Sequence, residues 1–189
     1  AERTLDEACA HQPCVKIETG LGDFVIQLNP DRAPISVANF LSYVDAGFYR
    51  GTVFHRVIPN FMIQGGGFSY ARAVDKRGYT LQRKETRAPI KLEAGNGLSN
   101  VKYTVAMART NARDSATSQF FVNVTNNRKL DRGGGGYAVF GEVITGFDTI
   151  EAIRATPTEL NESYSDVPRE VVELLNATRL TRPQAHKRE

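Results

Sequence analysis

The sequence predicts a mainly β-sheet fold, an antiparallel β-barrel capped by two α-helices. Three observations favour this class: about eight short segments typical of strands, two segments with apolar residues at helical spacing, and no alternation of strands with crossover helices. With 189 residues, of which 41% are hydrophobic and 24% charged, the chain has the size and composition of one globular domain.

The first part of the chain contains a predicted hairpin followed by a helix. Segments 15–19 and 23–28 alternate between apolar and polar residues on either side of Gly20-Leu21-Gly22. Three residues of the second strand are predicted to face the core: Phe24, Ile26 and Leu28. The helix begins at Pro34, which suits a first helical turn, and ends at Gly47. Its apolar side is formed by Val37, Phe40, Leu41 and Val44.

The second half of the chain contains four more predicted strands, which are short and mostly apolar: 103–107, 120–124, 138–143 and 171–175. A short helix before the last of them has three apolar residues on one side: Phe147, Ile150 and Ile153. Segment 69–89 is rich in Arg, Lys, Gly and Thr without periodicity, which predicts a long surface loop. Segment 126–136 ends in four glycines and is predicted to be a flexible connection.

The charge distribution argues against nucleic acid as a partner, because a net charge of +3 comes with no long basic block inside the domain. No apolar run approaches the roughly 18 residues that cross a membrane, so no membrane span is expected. No secretory leader is visible at the start, and if a leader existed, it has been removed. The histidines, His11, His55 and His186, are scattered and lack acidic clusters, so neither a metal site nor a cofactor is expected in the domain.

The two cysteines, Cys9 and Cys14, lie close together ahead of the first strand. Three interpretations compete. The pair could form a local disulfide in an oxidising compartment, or remain as two free thiols. A metal site using Cys9, His11 and Cys14 is the third, although it lacks an evident fourth ligand and a standard spacing.

The most informative stretch is 54–67, which reads as two extended runs joined by a turn at Pro59-Asn60. Alternate positions of the first run share a face: Phe54, Arg56 and Ile58 on one side, and Val53, His55 and Val57 on the other. An arginine on an apolar face is typical of an ion pair or of a stem that reaches solvent. Phe61, Met62 and Gln64, followed by three glycines, favour instead a small ligand pocket with a few aimed polar groups.

Two further motifs follow this stretch in order. One runs from Met107-Ala108-Arg109-Thr110 to Ser118-Gln119-Phe120-Phe121-Val122-Asn123, and the other is Tyr137-Ala138-Val139-Phe140-Gly141-Glu142-Val143. Together the three motifs resemble those of cyclophilins, the cyclosporin-binding class of peptidyl-prolyl cis-trans isomerases. The resemblance implies a closed eight-stranded barrel with a helix at each end. It covers about 15–178, so an isomerase domain is expected there, between an arm at 1–14 and a basic tail at 179–189.

The resemblance also implies a site, residue by residue. Four positions match catalytic residues: Arg56, Phe61, Gln119 and His55. Seven match residues that bind the substrate: Met62, Gln64, Ala108, Arg109, Phe121, Leu130 and Tyr137. Arg56 is the natural donor to the prolyl nitrogen, because its guanidinium is rigid and permanently charged. The alternative places Phe121 and Leu130 in the core and gives Gln119 only a structural hydrogen bond.

The chain departs from the best-known eukaryotic pattern at three positions. Lys129 stands where that pattern has a tryptophan, Tyr137 where a histidine is usual, and Arg109 where an asparagine is usual. Loss of the indole predicts weak binding of cyclosporin, whereas isomerase activity should survive because Arg56 is unchanged. The motif at 107–110 resembles bacterial members of the family. The cysteine-bearing arm favours an exported, periplasmic member, with the cytoplasm as the alternative.

The predicted function is therefore isomerisation of X-Pro peptide bonds in unfolded or flexible polypeptides, by a monomer that needs no cofactor. The alternative is a proline-binding chaperone module with little turnover, against which the intact Arg56 argues. A metal-dependent hydrolase is disfavoured by the scattered histidines. An oligomeric structural protein is disfavoured because the sequence has neither a repeat nor an amphipathic seam.

Overall fold

The protein is described from a computed structural model, in which residues 4–74 and 78–180 are described. Three α-helices lie in these ranges: α1 (Leu5–Ala8), α2 (Pro34–Asp45) and α3 (Phe147–Arg154). The same ranges contain twelve strands: β1 (Cys14–Thr19), β2 (Gly22–Leu28), β3 (Thr52–Ile58), β4 (Met62–Gly65), β5 (Phe68–Arg72), β6 (Tyr79–Arg83), β7 (Thr104–Met107), β8 (Phe120–Asn123), β9 (Val139–Thr145), β10 (Thr158–Asn161), β11 (Tyr164–Pro168) and β12 (Glu173–Arg179).

Eight of these strands close into a barrel in the order β1-β12-β3-β4-β8-β7-β9-β2, and every neighbouring pair is antiparallel. Closure pairs each strand on both sides, so the barrel has no free edge. The two predicted helices are α2 and α3, and both contribute buried side chains to the core inside the barrel. The predicted fold class, a closed eight-stranded antiparallel barrel, is confirmed.

Aromatic rings fill the middle of the core. The ring of Phe40 on α2 lies 5.3 Å from that of Tyr49, 5.5 Å from that of Phe120 and 5.2 Å from that of Phe140. Burial of each such side chain stabilises the fold by about 1.5–3 kcal/mol, and well-oriented ring pairs add about 0.5–1.5 kcal/mol. The residues predicted to face inward on β2 and α2 are all buried here. Helix α2 therefore packs through the side that its sequence predicted.

The first run of the central stretch contains a β-bulge that the alternation pattern missed. Phe54 pairs with Gly65 while Arg56 pairs with Gln64, so β3 advances by two residues where β4 advances by one, and His55 is the extra residue. As a result Phe54 and Val57 both point into the main core. The predicted placement of Val57 on the opposite face from Phe54 is wrong, because the bulge reverses the alternation between them.

Segment 69–89 was predicted to be a loop, and this is wrong for much of it. Phe68–Arg72 and Tyr79–Arg83 form the two-stranded sheet β5–β6. Phe68, Tyr79 and Leu81 are buried in a small second cluster with Val53 and Val167. Arg72 and Arg83 lie on the same face as these buried residues, opposite Tyr79 and Phe68, so the apolar face of each strand ends in an arginine and the period-2 pattern is hidden. A second small hairpin, β10–β11, also lies outside the barrel order.

The N-terminal arm is more ordered than its composition predicted. Helix α1 is held by a capping box between Thr4 and Glu7, in which each side chain accepts a hydrogen bond from the other residue's backbone N–H. Cys9 and Cys14 form a disulfide, so they are neither two free thiols nor metal ligands. The Gln27 side chain also donates to the carbonyl of Ala8, at 2.6 Å. These contacts fasten the arm to the barrel at β1 and β2.

The barrel begins with β1 and ends with β12. Strand β1 begins at Cys14, and β12 runs to Arg179, which corrects the predicted last strand at 171–175 and places the first residue of the predicted tail in the barrel. Residues 181–189 of that tail lie outside the described residues. Across 4–74 and 78–180, the helices are all too short or too polar to traverse a bilayer.

Candidate active site

A cavity of about 230 Å³ opens on the outer face of the barrel. It is lined by nine residues: Arg56, Phe61, Met62, Gln64, Ala108, Arg109, Phe121, Leu130 and Tyr137. Every lining residue is among the site residues predicted from the sequence. The strand register explains why distant residues meet, since Arg56 pairs with Gln64 and Gln64 pairs with Phe121 across β3, β4 and β8.

The floor of this cavity is an apolar cup. Met62 and Phe121 are almost fully buried and pack with Ala106 and Val139 in a cluster separate from the main core. Phe120 points into the barrel while Phe121 points into the cup, as the alternation along β8 predicts. The alternative that assigned Phe121 to the main core is therefore excluded. A turn closed by the Phe61 N–H and the Ile58 carbonyl, at 2.9 Å, brings Phe61 to the rim.

Arg56 lies at the polar edge of the cup and is half-buried. Its Nη1 donates to Gln64 Oε1 over 3.5 Å, a weak bond, and Gln64 Nε2 donates to Gln119 Oε1 over 2.8 Å. Within the described ranges no carboxylate lies within 4.0 Å of this guanidinium, so the ion-pair interpretation of Arg56 has no partner there. Most of its N–H donors therefore remain available to a ligand in the cavity.

Gln119 does not line the cup itself. It borders a neighbouring cavity of about 370 Å³, which shares Gln64, Ala108 and Arg109 with the cup. Gln119 reaches the site through its hydrogen bond to Gln64. The approach to Gln119 depends on Gly67, because a Cβ at that position would come within 2.4 Å of the Gln119 side chain. Of the three glycines after Gln64, Gly67 is therefore the one that lets the Gln119 side chain pass close to the backbone.

Arg109 is occupied by the glycine-rich connection. Its guanidinium donates to the carbonyls of Gly134 at 2.7 Å and Gly136 at 2.7 Å, and to the Thr110 carbonyl at 3.0 Å. The same group lies over the Tyr137 ring, 4.6 Å from its centre. The connection predicted to be flexible is therefore held in two short 3-10 turns, Arg128–Asp131 and Gly133–Gly135. Arg109 and Tyr137, two departures from the eukaryotic pattern, form one wall of the cup together.

His55 is not brought into the cavity. Its ring is buried and packs on Phe68, with ring centres 4.6 Å apart, and its Nδ1 has no hydrogen-bond partner among the described residues. Burial, together with the charges of Arg56 and Arg83, lowers the pKa of His55 to about 4. The imidazole is therefore neutral at physiological pH. Its position does not support the predicted catalytic role, because the bulge in β3 turns it away from the cup.

This burial predicts a pH-dependent loss of stability. The unfolded chain protonates His55 below about pH 6.5, whereas the folded protein does so only near pH 4, so stability falls as pH falls through this window. Between pH 7 and pH 5 the loss is expected to reach about 2 kcal/mol. Denaturant unfolding at pH 7 and at pH 5 should show a smaller loss of stability in His55→Phe than in the natural chain. The phenyl ring does not titrate, and it keeps an apolar contact with Phe68. An equal loss of stability in both proteins would contradict the conclusion that the His55 imidazole is buried and neutral.

Sequence reasoning missed a set of polar residues beneath the cup: Asn100, Asn123, Asn127 and Asp131. The first three are buried, and all four are joined by hydrogen bonds. One signal was available, since Asn123 stands between Val122 and Val124 in an otherwise apolar strand. A buried amide in such a strand requires partners.

The site thus combines an apolar cup with a guanidinium that has no carboxylate partner in the described ranges, on the outer face of a closed barrel. In the described part of the chain, no group of three or more His, Cys, Asp or Glu residues could hold a metal ion. Residues 14–179 match the family described as cyclophilin type peptidyl-prolyl cis-trans isomerase/CLD. The chain belongs to this family of enzymes, which accelerate rotation about the peptide bond that precedes proline.

Several bacterial relatives are similar over most of the domain. A peptidyl-prolyl cis-trans isomerase of Acinetobacter baylyi is 49% identical over 164 residues, covering 86% of this chain and 82% of the relative. Isomerase A of Dickeya dadantii is 46% identical over 165 residues, with the same coverage of 86% and 82%. Isomerase B of Escherichia coli is 45% identical over 169 residues, covering 87% of this chain and 98% of the relative.

The fold also matches a solved structure. The crystal structure of a cyclophilin type peptidyl-prolyl cis-trans isomerase of Cryptosporidium parvum superposes with a TM-score of 0.72 at 25% identity, covering 92% of this chain and 100% of that chain. The barrel topology is thus shared with a distant eukaryotic member of the family.

Proposed function

We propose that this chain isomerises X-Pro peptide bonds by holding the proline ring in the cup while Arg56 donates a hydrogen bond to the prolyl nitrogen. The observation that carries the proposal is the position of the Arg56 guanidinium, at the edge of an apolar cup and without a carboxylate partner in the described ranges. A proline residue presents an apolar ring next to a polar peptide group, so it suits an apolar cup that has a permanently charged donor at its edge.

The reaction needs no bond to be broken. Rotation about an X-Pro bond crosses a barrier of about 20 kcal/mol because the planar amide loses its resonance. As the bond twists, the nitrogen regains its lone pair and can accept a hydrogen bond that it cannot accept in the planar ground state. A donor aimed at that nitrogen therefore binds the transition state better than the substrate, which is the condition for catalysis.

The required acceleration is within reach of this arrangement. An uncatalysed rate of about 10⁻² per second must rise to about 10³ per second, which lowers the barrier by roughly 7 kcal/mol. A charge-assisted hydrogen bond at the edge of the apolar cup contributes about half of this, and the rest comes from holding both flanks of the proline. Gln64 and Gln119 are placed to hold the substrate backbone, since their linked amides lie between the cup and the neighbouring cavity.

We infer that the substrates are unfolded or flexible polypeptides that contain proline. The cup opens at the surface, and we expect it to contact only the proline ring and its two flanking peptide groups, so it should make few demands on the preceding side chain. One chain supplies every residue of the cup, so a monomer is sufficient for the activity. Neither a cofactor nor a metal enters the proposed step.

The experiment is to measure the cis-to-trans rate of a short X-Pro peptide with and without the protein. A large acceleration supports the isomerase. Binding of the peptide without acceleration would favour the alternative, a proline-binding chaperone module, and would direct attention to Lys129 and Tyr137 as the substitutions that reduced turnover.

We further propose that the protein works in the periplasm. The Cys9–Cys14 disulfide supports this, because such bonds persist in oxidising compartments and are rare in the cytosol. In fractionated cells that make this chain, we expect it in the periplasmic fraction, with both cysteines protected from alkylation until a reductant is added. Recovery in the cytoplasm with two reactive thiols would overturn the proposal.

A further inference from the structure

Beneath the rim of the cup, a chain of amide side chains runs between separate segments of the fold. Asn127 Nδ2 donates to Asn123 Oδ1 at 2.9 Å, and Asn123 Nδ2 donates to Asn100 Oδ1 at 3.0 Å. Asn100 Nδ2 then donates to Asp131 Oδ1 at 2.9 Å. Each asparagine thus uses its amide as donor and acceptor, and the order of hydrogen bonds is fixed in one direction.

Two members of this chain, Asn127 and Asn100, reach the backbone of the cup. Asn127 Nδ2 also donates to the Phe61 carbonyl at 2.8 Å, and the Asn127 carbonyl accepts from the Leu130 N–H at 2.9 Å. Asn100 Nδ2 also donates to the Tyr137 carbonyl at 3.3 Å. The side chains of one network therefore hold Phe61 and Tyr137, two rim residues from different parts of the sequence, whereas Leu130 is tied to Asn127 only through the backbone.

Asp131 terminates the network with a charge. Its Oδ1 accepts from both the backbone N–H of Asn100, at 2.7 Å, and the Asn100 side chain. Partial burial alone would raise the pKa of Asp131, but hydrogen bonds from Ser99 and Asn100 and the charge of Arg128 hold that pKa below its usual value. The carboxylate is thus a strong acceptor that orients the Asn100 amide toward Asn123.

We propose that Asn100, Asn123, Asn127 and Asp131 are positioning residues, which set the width of the proline cup by fixing the backbones of Phe61 and Tyr137. This inference rests on the proposed function of the cup. Apolar packing alone does not fix the separation of three loop segments, because it is non-directional. Hydrogen bonds to backbone carbonyls are directional, so they hold each rim residue at a set distance.

The expected kinetic effect follows from what the cup binds. The proline ring occupies the cup in both the planar and the twisted state, so a looser cup weakens ground-state and transition-state binding alike. Such a change raises KM and leaves kcat nearly unchanged. Loss of folded protein would instead lower the apparent kcat at constant KM. The two causes are therefore distinguishable in one set of measurements.

The test uses Asn127, which lies nearest the rim. Asn127→Ala is expected to raise KM for an X-Pro peptide about fivefold, with kcat within about twofold of the natural value, because it removes the amide bond to the Phe61 carbonyl together with the bond to Asn123. Asn127→Asp keeps the shape but removes the donor, so it should raise KM at least as much. A titration of each folded variant with the same peptide, monitored by NMR, should show that Kd increases by the same factor as KM.

The matched control is Asn161→Ala. Asn161 Nδ2 donates to the Tyr79 carbonyl at 2.8 Å, the same kind of bond at the same distance, but between β10 and β6 rather than at the cup. Its KM should equal that of the natural chain. If the natural chain is active and either Asn127→Ala or Asn127→Asp has the same KM as the natural chain, the inference is wrong. Absence of activity in the natural chain would instead overturn the proposed function.

Discussion

Replacing Arg56 with alanine is expected to lower kcat/KM for an X-Pro peptide about a thousandfold. The guanidinium hydrogen bond to the prolyl nitrogen forms only as the amide twists, so its loss affects the transition state and not the bound substrate. Removal of one such donor in other enzymes costs about 10²–10³ in rate. The change should therefore appear in kcat, with KM nearly constant. A protease-coupled or NMR exchange assay on a short peptide measures both.

Two variants sharpen this result. Arg56→Lys keeps the positive charge but lacks the planar fork, so it should recover only a small part of the activity. Arg169→Ala removes a guanidinium from the exposed surface, where it pairs with Glu159, and should leave kcat unchanged. If Arg56→Ala retained more than about a tenth of the activity, the proposed role of the guanidinium would be wrong.

The barrel could be predicted from the sequence because its strands carry local signals. The alternation in β2 and the helical spacing in α2 each predicted the buried face correctly, since one side of each element meets the core. The bulge at His55 carries no such signal, because it depends on how β3 pairs with β4. The hairpin β5–β6 was missed for a related reason. Its covered face is buried only by residues distant in sequence, such as Val167.

The site residues could be predicted where the strand alternation and the family motif point to the same residue. Phe121 and Met62 could be placed in the cup because they follow the strand period and match the motif. The hydrogen bonds of Arg109 could not be predicted, since they depend on the path of the glycine-rich connection. Composition alone described that connection as flexible, and the arginine that orders it lies more than twenty positions away.

The polar network beneath the cup could not be predicted from the sequence either. Each of its asparagines reads as an ordinary turn or strand residue, because the partners of an amide are invisible until the segments meet. Only the structure shows that Asn100 and Asn127 lie on either side of Asn123. Long-range hydrogen bonds therefore make up the part of the site that sequence patterns miss.

Replacing Lys129 with tryptophan is expected to tighten cyclosporin binding about ten- to a hundredfold. The Lys129 ammonium lies 5.6 Å from the centre of the Phe61 ring and is exposed at the rim of the cup. An indole at this position would add apolar area and an N–H donor, and burial of an aromatic ring contributes about 1.5–3 kcal/mol. Inhibition of peptide isomerisation by cyclosporin measures the effect, and weak inhibition of the natural chain is expected.

The matched control for this change is Lys102→Trp. Lys102 also places its ammonium over an aromatic ring, 4.9 Å from the centre of Tyr103, but outside the cup. It should leave cyclosporin inhibition as weak as in the natural chain. Isomerase activity of Lys129→Trp should stay within about twofold, because neither Arg56 nor the floor of the cup is altered. Equal inhibition of Lys129→Trp and the natural chain would show that Lys129 does not limit cyclosporin binding. The weak binding would then be attributed to the wall formed by Arg109 and Tyr137.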